Sequence, residues 1–492
     1  MLYISLENEK FKYETGELVK LFEGDFEFAD SNDGFERFIS LDISKGEDSI
    51  CSRAAYYVGG VLKHEKECCS KNCKIKDSHG IKRESKNLLK KALYIILSEI
   101  HGKSMPWGIL TGIRPTKIVQ ELLDEGLCKE DVCDVLTQKY MLSPQKASMA
   151  LEIALTERKY IYPIDDSLIS LYVSIPFCPT RCIYCSFPSN TLKQWGHLKA
   201  KYVECLIKEI EEIADMARLW GKKLHTVYIG GGTPTTLDAN ELKELIVAIR
   251  QSFDFSSVVE FTVEAGRVDT IDEEKLDVLR EMEIDRISIN PQTMNDLTLK
   301  KVGRNHSAKD IEDAFHLARR KGFTNINMDI ILGLPGEDVD MVKYTLGKIA
   351  QLSPESLTVH TMAIKRASRL KEEIDSHELA QYENVSKMVQ TAMESAIDMD
   401  LRPYYMYRQK HMLGNLENIG YAKVGCECIY NINIMEETQT ILAAGAGAIS
   451  KFVYHDENRI ERVPNVKNIE HYIERVDEMI LRKKKEVLKN AD

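Results

Sequence analysis

The chain has 492 residues, of which 43% are apolar and 29% are charged, with 27 glycines and 13 prolines. This composition is typical of a globular protein and excludes collagen-like and low-complexity chains. The 66 basic and 77 acidic residues give a net charge of −11, so the chain lacks the overall positive charge on which non-specific nucleic-acid binding depends.

No apolar run approaches the roughly 18 residues that a membrane-spanning helix needs. Residues 1–10 contain Glu7 and Glu9 in place of the apolar stretch of a secretory signal. We therefore expect a cytoplasmic protein without a membrane partner. In that compartment the twelve cysteines are expected to stay reduced, as candidate metal ligands.

Residues 1–165 are predicted to form an α+β domain, because short strands separated by turns come first and helical patterns follow. The predicted strands are residues 2–6, 26–28, 38–42 and 54–62. The predicted helices are residues 85–101, 115–125, 129–140 and 143–161. The polar segment 163–167 is the predicted boundary, and no motif indicates what this domain does.

From residue 166 to about 370, strands and helices alternate. The predicted strands are 170–175, 226–229, 258–263, 286–290, 325–332 and 356–361, and the helices between them include 198–220, 239–253, 272–282, 308–321 and 341–352. This alternation predicts an α/β fold, a partial (βα)6 barrel with right-handed crossovers. Active-site groups are expected at the carboxyl ends of its strands.

Residues 371–492 are predicted to form a mixed, largely helical C-terminal domain. Its main features are a helix near 377–399, a glycine-rich tract at 443–447 and a charged helix at 469–489. The basic run 482–485 within the last helix is predicted to be a solvated face, because acidic residues flank it.

Three cysteines follow the first barrel strand directly. Cys178, Cys182 and Cys185 have the spacing C-x3-C-x2-C, which suits one loop around a [4Fe–4S] cluster with one thiolate on each of three irons. The fourth iron then has no cysteine from this loop and is open to an exchangeable ligand. The spacing matches the signature of radical S-adenosylmethionine (SAM) enzymes; the alternative is a zinc site or three unrelated thiols.

The other cysteines carry weaker signals. Cys51, Cys128, Cys133 and Cys205 are predicted to be small buried residues. A second group of thiols, near His64, consists of Cys68, Cys69 and Cys73. These thiols could bind another metal, but an irregular surface loop with incidental thiols is the favoured interpretation. Cys426 and Cys428 are equally ambiguous.

A glycine tract, residues 230–235 with the sequence Gly-Gly-Gly-Thr-Pro-Thr, ends the second barrel strand. Glycines have no Cβ, so the backbone here can approach a ligand closely, for example the amino-acid part of SAM. A merely tight turn is the alternative. The position of the tract, one barrel unit after the cysteines, favours the binding role.

These motifs resemble a known family. The segments that carry the resemblance are 171–178 (Leu-Tyr-Val-Ser-Ile-Pro-Phe-Cys), 230–235, 263–265 (Val-Glu-Ala), 290–292 (Asn-Pro-Gln), 303–307 (Gly-Arg-Asn-His-Ser) and 328–335 (Met-Asp-Ile-Ile-Leu-Gly-Leu-Pro). They resemble the oxygen-independent coproporphyrinogen III oxidase family of radical SAM enzymes, closely over about 170–365 and more thinly to about 455. Residues 1–165, with Pro-Trp-Gly-Ile-Leu-Thr-Gly-Ile-Arg-Pro-Thr at 106–116, resemble the N-terminal region of its HemZ-type branch.

The resemblance implies a site, residue by residue. It implies that the catalytic residues are the cluster ligands Cys178, Cys182 and Cys185 together with Tyr172, and that Tyr172, Gly231 and Glu264 contact the cluster-bound SAM. Family members can hold a second SAM molecule, and its positions correspond here to Tyr184, Gly232, Thr233, Gln292, Arg304, Asp329 and Ala363. For any one of these residues alone, a structural ion pair or a solvated side chain is the favoured interpretation, whereas together, at four successive strand ends, they favour the cofactor role.

The resemblance implies oxidative decarboxylation of two propionates, which converts coproporphyrinogen III to protoporphyrinogen IX. The implied partners are the porphyrinogen and an electron donor such as a flavodoxin or ferredoxin. Cations should line the mouth of the barrel to bind the four carboxylates of the substrate. The candidates are Lys365, Arg366, Arg369, Arg402 and Arg408.

Two departures from the family pattern leave the substrate open. Phe187 stands where dehydrogenase members carry another cysteine, and the haem-chaperone branch also carries phenylalanine there. The His-Asn-x-x-Tyr-Trp pattern of the chaperones is replaced at 430–435 by Tyr-Asn-Ile-Asn-Ile-Met. The alternatives are thus a haem chaperone or a haem-modifying radical enzyme; a radical enzyme acting on RNA has only weak support, and nucleic acid is not expected as a partner.

Overall fold

The computed structural model describes residues 1–30, 34–46, 48–71, 78–187, 190–363, 382–409 and 416–489. The chain forms two compact units, Met1–Ala154 and Leu155–Asp492. Among the described residues, no helix combines the length and the apolar character that crossing a membrane requires.

The first unit contains a five-stranded sheet in the order β2-β1-β3-β4-β5. Strand β1 pairs in parallel with β2 and β3, whereas β3, β4 and β5 pair antiparallel. The strands are β1 Leu2–Leu6, β2 Phe26–Phe28, β3 Arg37–Lys45, β4 Ser49–Val58 and β5 Val61–Lys71. The helices are α1 Lys12–Val19, α2 Ser78–His101, α3 Thr116–Asp124, α4 Lys129–Asp134 with the π-helical turn Val135–Lys139, and α5 Pro144–Ile161.

Four helices of this unit lie where the sequence predicts them, whereas α1 and strand β5 are not predicted. Residues 54–62 are predicted as one strand, but the chain reverses at Gly59 and Gly60, whose φ angles are +55° and +78°. These values suit glycine and make the segment a hairpin of β4 and β5. The interpretation of residues 68 and 69 as part of an irregular loop is therefore wrong, because both lie in a regular strand.

The hairpin also decides what its cysteines can do. Cys51 on β4 lies directly opposite Cys69 on β5, their Cα atoms are 4.1 Å apart, and the two form a disulfide. The expectation that all twelve cysteines stay reduced is wrong for this pair, because strand register brings together two side chains that the sequence separates by 18 residues. Cys68 is buried on the opposite face of β5, so Cys68 and Cys69 do not converge on one metal ion. Cys73 lies outside the described residues.

Two further cysteine predictions need correction. Cys128 is exposed, not buried, because it precedes α4 and its sulfur accepts a hydrogen bond from the Asp131 amide at 3.4 Å. Cys133 is only half-buried, whereas Cys205 is buried as predicted.

The second unit is built on an eleven-stranded sheet. Its centre consists of six parallel strands in sequential order, which confirms the predicted α/β fold. They are β6 Leu168–Ile175, β9 Lys223–Gly231, β10 Glu260–Glu264, β11 Arg286–Ser288, β12 Ile326–Leu332 and β13 Ser356–Thr361. Two short paired strands, β7 Phe177–Cys178 and β8 Asn190–Thr191, bracket the cysteine loop.

Helices follow the central strands, and several begin at a side-chain cap. Asp238 and Ser307 each form a capping box, while Asp272 and Asp338 each accept a backbone N–H in the first turn. The helices that lie between or after the central strands are α6 Leu192–Trp195, α7 Lys199–Leu219, α8 Ala239–Ser252, α9 Glu273–Glu281, α10 Asp296–Lys301, α11 Ala308–Arg320 and α12 Val339–Leu352. The 3-10 turns Pro234–Thr236 and Val268–Thr270 lie in the loops after β9 and β10.

The C-terminal part of the chain extends the same sheet at both edges. Five strands lie there, namely β14 Arg402–Tyr407, β15 Asn418–Ala422, β16 Thr440–Ala444, β17 Ile449–Tyr454 and β18 Arg459–Pro464, with helices α13 Tyr382–Asp398, α14 Ile429–Glu436, α15 Ile469–Glu474 and α16 Val476–Leu488. Strand β15 pairs antiparallel with β13, and β16 pairs in parallel with β6. The sequence does not predict these strands. Strands β14, β15 and β16 are buried along most or all of their length and show no alternation that periodicity could detect, whereas β17 and β18 are only partly buried.

A buried polar network fastens the last helix beneath the sheet. Lys483 of α16 donates to Glu209 of α7 at 2.7 Å, and both side chains are fully buried. Glu209 also accepts hydrogen bonds from the amide of Gly445 at 2.8 Å and from the hydroxyl of Tyr472 at 2.7 Å. Lys483 therefore does not belong to a solvated face, although its neighbour Lys484 is exposed.

We predict that Lys483→Met lowers the free energy of unfolding of the second unit by about 3–5 kcal/mol, because the substitution leaves Glu209 buried without its counter-charge. Urea unfolding followed by circular dichroism measures this change. The matched control is Lys484→Met, one residue along the same helix, which should leave the urea midpoint unchanged. Equal midpoints for the two variants would contradict the prediction.

Candidate active site

The three cysteines of the C-x3-C-x2-C motif lie on the loop that follows β6. Cys178 and Cys182 are buried and Cys185 is half-buried, and the Cys185 amide donates to the Cys182 carbonyl at 3.1 Å. Burial, with a further contribution from the two other thiols, raises the pKa of Cys178 to about 11. Uncompensated thiolates are costly here, so the donor set fits a cationic cluster, which stabilises the deprotonated sulfurs.

The glycine tract after β9 packs directly against this loop. The Gly232 amide donates to the Ile175 carbonyl at 2.8 Å, and a Cβ on Gly232 would lie 2.6 Å from the Phe177 carbonyl oxygen and 3.0 Å from the Cys178 sulfur. Gly231 has a φ of +112°, which side chains rarely adopt. The backbone of the tract thus lies so close to the cysteine loop that only glycine fits, while its approach to a ligand stays a prediction.

A second contact holds the other side of the cysteine loop. The Thr180 hydroxyl donates to the Gly303 carbonyl at 2.8 Å, and the Ile183 amide donates to the Val302 carbonyl at 3.2 Å. The loop is thus fixed between the ends of β9 and α10, which pre-organises its thiols for one ligand.

Two carboxylates lie on central strands near this region, Glu264 on β10 and Asp329 on β12. Glu264, the last residue of β10, accepts a hydrogen bond from the Tyr228 hydroxyl at 2.6 Å. Burial raises the pKa of Glu264 to about 7; the Tyr228 hydrogen bond acts to lower it and the charge of Asp329 acts to raise it. Burial also acts to raise the pKa of Asp329, but hydrogen bonds and charge, chiefly from His360, hold it below its ordinary value.

Several buried polar atoms near the site have no hydrogen-bond partner among the described residues. They are Gln292 Oε1, Arg304 Nε and both ring nitrogens of His306. The Arg304 guanidinium donates to the Asn290 carbonyl at 2.6 Å and interacts with Tyr184 and Cys182. Buried polar groups in proteins are almost always hydrogen-bonded, so these atoms fit a bound polar ligand such as SAM.

The structure brings the predicted site residues together at one edge of the sheet. Each predicted residue lies on the cysteine loop, on a central strand or in the loop after one, except Arg304, which follows α10. The full set is Tyr172, Tyr184, Gly231, Gly232, Thr233, Glu264, Gln292, Arg304, Asp329 and Ala363. The Thr233 hydroxyl lies 3.5 Å from the Cys178 sulfur, and Gln292 bonds through its backbone to β12.

Three residues at this edge are not among the predicted site residues, namely Tyr228, Tyr430 and Arg267. Tyr172 stacks with Tyr228 and Tyr430, with ring centroids 6.2 and 6.0 Å apart, and Tyr228 and Tyr430 stack at 4.6 Å. Tyr228 precedes Gly230 by two residues, so strand alternation could have indicated its orientation. No sequence pattern indicates where the side chains of Tyr430 and Arg267 lie. The guanidinium of Arg267 lies 3.6 Å from the Cys182 sulfur.

Of the five predicted substrate-binding cations, one lies at the expected edge of the sheet, one lies at the opposite edge and three lie outside the described residues. Strand register places Arg402 opposite Ala422, which in turn pairs with Ser356 at the start of β13. Arg402 therefore lies at the edge away from the cysteine loop, and its assignment to the mouth of the barrel is wrong. Arg408 follows β14 at the correct edge and is buried, whereas Lys365, Arg366 and Arg369 lie outside the described residues.

The comparisons with known proteins agree with this geometry. The Radical SAM superfamily model matches residues 172–349. The chain is 43% identical over 390 residues to the oxygen-independent coproporphyrinogen-III oxidase-like protein HemZ of Bacillus subtilis, covering 78% of each chain. The chain belongs to the HemZ-type family of radical SAM proteins.

Two other comparisons show which further proteins resemble this chain. The heme chaperone HemW of Bacillus subtilis is 31% identical over 313 residues, which cover 63% of this chain and 76% of HemW. The solved structure of the radical SAM enzyme coproporphyrinogen III oxidase (HemN) from Escherichia coli matches with a TM-score of 0.51 and 22% identity, covering 66% of this chain and 73% of that one. HemN thus shares the fold, and membership of the radical SAM family implies a [4Fe–4S] cluster and SAM as cofactors of the HemZ-type chain.

We predict that Cys182→Ala abolishes assembly of the [4Fe–4S] cluster, because only two thiolates of the loop remain. Anaerobic reconstitution followed by iron and sulfide analysis and electron paramagnetic resonance measures the cluster. Cys128→Ala, at an exposed cysteine outside the motif, is the matched control and should retain wild-type iron. Full cluster content in Cys182→Ala would refute the assignment.

We predict that SAM affinity rises with pH through about 7, the pKa of Glu264, if the ionised carboxylate receives the SAM ammonium group. Tyr228→Phe removes a donor that lowers this pKa, so the rise should move to higher pH. Calorimetric titration of the reconstituted protein at a series of pH values measures the shift. The control Tyr454→Phe on β17 removes a hydroxyl donor to Glu486 of α16 and should leave the curve in place. A flat wild-type curve would contradict the role of Glu264.

Proposed function

We propose that this protein is an oxygen-independent coproporphyrinogen III dehydrogenase, which decarboxylates two propionates oxidatively to give protoporphyrinogen IX. The observation that carries the proposal is the buried thiol loop, which lies against Gly232 at the edge of the sheet where Glu264, Asp329 and Arg304 also lie. Similarity to the HemZ and HemN proteins supports the choice of substrate.

When bound, the reduced cluster and SAM together supply one-electron chemistry that removes a hydrogen atom from an unactivated carbon. Cys178, Cys182 and Cys185 would hold the cluster. Glu264 would accept the ammonium group of the cluster-bound SAM, and Arg304 would pair with the carboxylate of a second SAM molecule, since a guanidinium binds a carboxylate through two parallel hydrogen bonds. Tyr172 and Gly231 would complete this site by the family resemblance.

A second SAM molecule is part of the proposal. Its site would use Tyr184, Gly232, Thr233, Gln292, Arg304, Asp329 and Ala363. The unpartnered Gln292 oxygen is consistent with a ligand at this position.

The overall reaction balances at each propionate. The β-carbon loses one hydrogen atom, the carboxylate leaves as CO2, one further electron passes to an acceptor, and a vinyl group remains. An electron donor such as a flavodoxin or ferredoxin would reduce the cluster. The protein contributes by holding the β-carbon near the reacting centre and by excluding water.

Arg408 is the described residue best placed to meet a propionate. Burial lowers its pKa to about 10, and the charge of Glu417 acts to raise it, so the group is a cation at neutral pH. Next to it, the Tyr407 hydroxyl lies 3.4 Å from His360 Nδ1, and His360 lies 3.7 Å from Asp329. A guanidinium at this edge of the sheet suits a propionate carboxylate of a tetrapyrrole.

A haem-binding role, as chaperone or haem-modifying enzyme, is the second candidate. Phe187, at the position where dehydrogenase members carry cysteine, is 61% exposed, and HemW proteins match more than half of the chain. Against the chaperone role, Tyr430 stands at the position of the chaperone histidine and is buried in the tyrosine stack, so the imidazole that the resemblance would offer to haem is absent there.

The test is an anaerobic assay with dithionite, SAM and coproporphyrinogen III. We expect 5′-deoxyadenosine and, after oxidation, protoporphyrin fluorescence, with both products absent in Cys182→Ala and present in the control Cys128→Ala. 5′-Deoxyadenosine without a vinyl product would reject the substrate. Stable haem binding without either product would favour the chaperone role.

A further inference from the structure

Arg267 lies in the loop after β10, three residues beyond Glu264, and its side chain is only 5% exposed. Its Nη1 atom lies 3.6 Å from the Cys182 sulfur. A buried guanidinium this close to a thiolate is both a hydrogen-bond donor and a fixed positive charge. It therefore acts on whatever Cys182 binds.

Asp269 holds this guanidinium in place. The Nε and Nη2 atoms of Arg267 donate to the two carboxylate oxygens of Asp269 at 2.9 and 2.7 Å. This fork pairing fixes the plane of the guanidinium and leaves Nη1 directed at the cysteine loop.

Thr180 provides the second constraint. Its hydroxyl oxygen accepts hydrogen bonds from Nη1 and Nη2 of Arg267, both at 3.1 Å, and donates to the Gly303 carbonyl at 2.8 Å. The arginine is thus tied to the loop that carries Cys182 and cannot withdraw into solvent.

The surrounding charges set the net effect. Arg304, a second buried arginine, interacts with Cys182, while Asp269 is 22% exposed at its side chain. His306 is buried beside Asp269, and burial and the nearby arginines lower its pKa to about 4, so it is neutral at pH 7. The carboxylate of Asp269 is therefore the group that partly offsets Arg267.

We propose that Arg267 is a positioning residue that raises the reduction potential of the cluster held by Cys182, and that Asp269 limits this effect. The inference rests on the proposed cluster but not on the proposed substrate. One-electron reduction adds a negative charge to the cluster, and a buried cation with an N–H directed at a ligand sulfur stabilises that charge.

A purely structural role for Arg267 predicts something different. If the arginine only fastened the loop, removing Arg267 or its partner Asp269 would loosen the same contact and change the potential in the same direction. An electrostatic role gives opposite signs, because one substitution removes a positive charge and the other a negative charge.

The experiment is a redox titration of the anaerobically reconstituted full-length protein with dithionite, followed by electron paramagnetic resonance. We expect a more negative midpoint potential in Arg267→Gln, an intermediate value in Arg267→Lys and a more positive value in Asp269→Asn. The matched control is Arg218→Gln, which breaks the exposed Arg218–Asp215 pair at 2.7 Å on α7 and should leave the potential unchanged.

Shifts in the same direction for Arg267→Gln and Asp269→Asn, or wild-type potentials in both, would overturn the proposal. If Arg267→Gln does not retain its cluster, Asp269→Asn and Arg267→Lys still decide the question, because their predicted shifts have opposite signs. No porphyrinogen is present in the titration, so failure of the proposed substrate does not affect the result.

Discussion

The site depends on one constraint, which is that the carboxyl ends of six parallel strands meet at the same edge of a sheet. Tyr172, Glu264 and Asp329 are far apart along the chain, but Glu264 ends β10 and the other two lie on β6 and β12 of the same sheet. Parallel pairing places the carboxyl ends of these three strands at the same edge. The cysteine loop follows the first of these strands, so its thiols lie at the same edge by the same rule.

Buried charge is the second theme of this edge. Carboxylates and guanidinium groups lie close together here: Arg267 and Asp269 partly neutralise each other, and His360 lies 3.7 Å from Asp329. Other polar atoms, such as Gln292 Oε1, lack partners among the described residues. A preformed polar site with unmet hydrogen bonds suits a charged nucleotide ligand better than an apolar one, in accord with membership of the radical SAM family.

The C-terminal region packs against the end of strand β6, from which the cysteine loop begins. The Tyr202 hydroxyl donates to the Ser174 carbonyl at 2.7 Å and accepts the Ala446 amide at 2.9 Å. Ser174 in turn donates to the Ala446 carbonyl at 3.1 Å, and a Cβ on Gly445 would collide with this group of atoms. The glycine-rich tract thus packs against the end of β6, beside the cysteine loop, and the buried Glu209–Lys483 pair anchors it from below.

The sequence by itself determined the repeated strand–helix units, the spacing of the three thiols and the glycine tract, because these features depend on local periodicity and on residue spacing within one loop. Only the tertiary structure decided that Cys51 pairs with Cys69, that Lys483 is buried and that Arg402 lies at the wrong edge for a substrate. Each of these outcomes depends on strand register or on packing between residues distant in sequence. No local pattern encodes such contacts, since the same short segment can pair or pack in several ways until the rest of the sheet is in place.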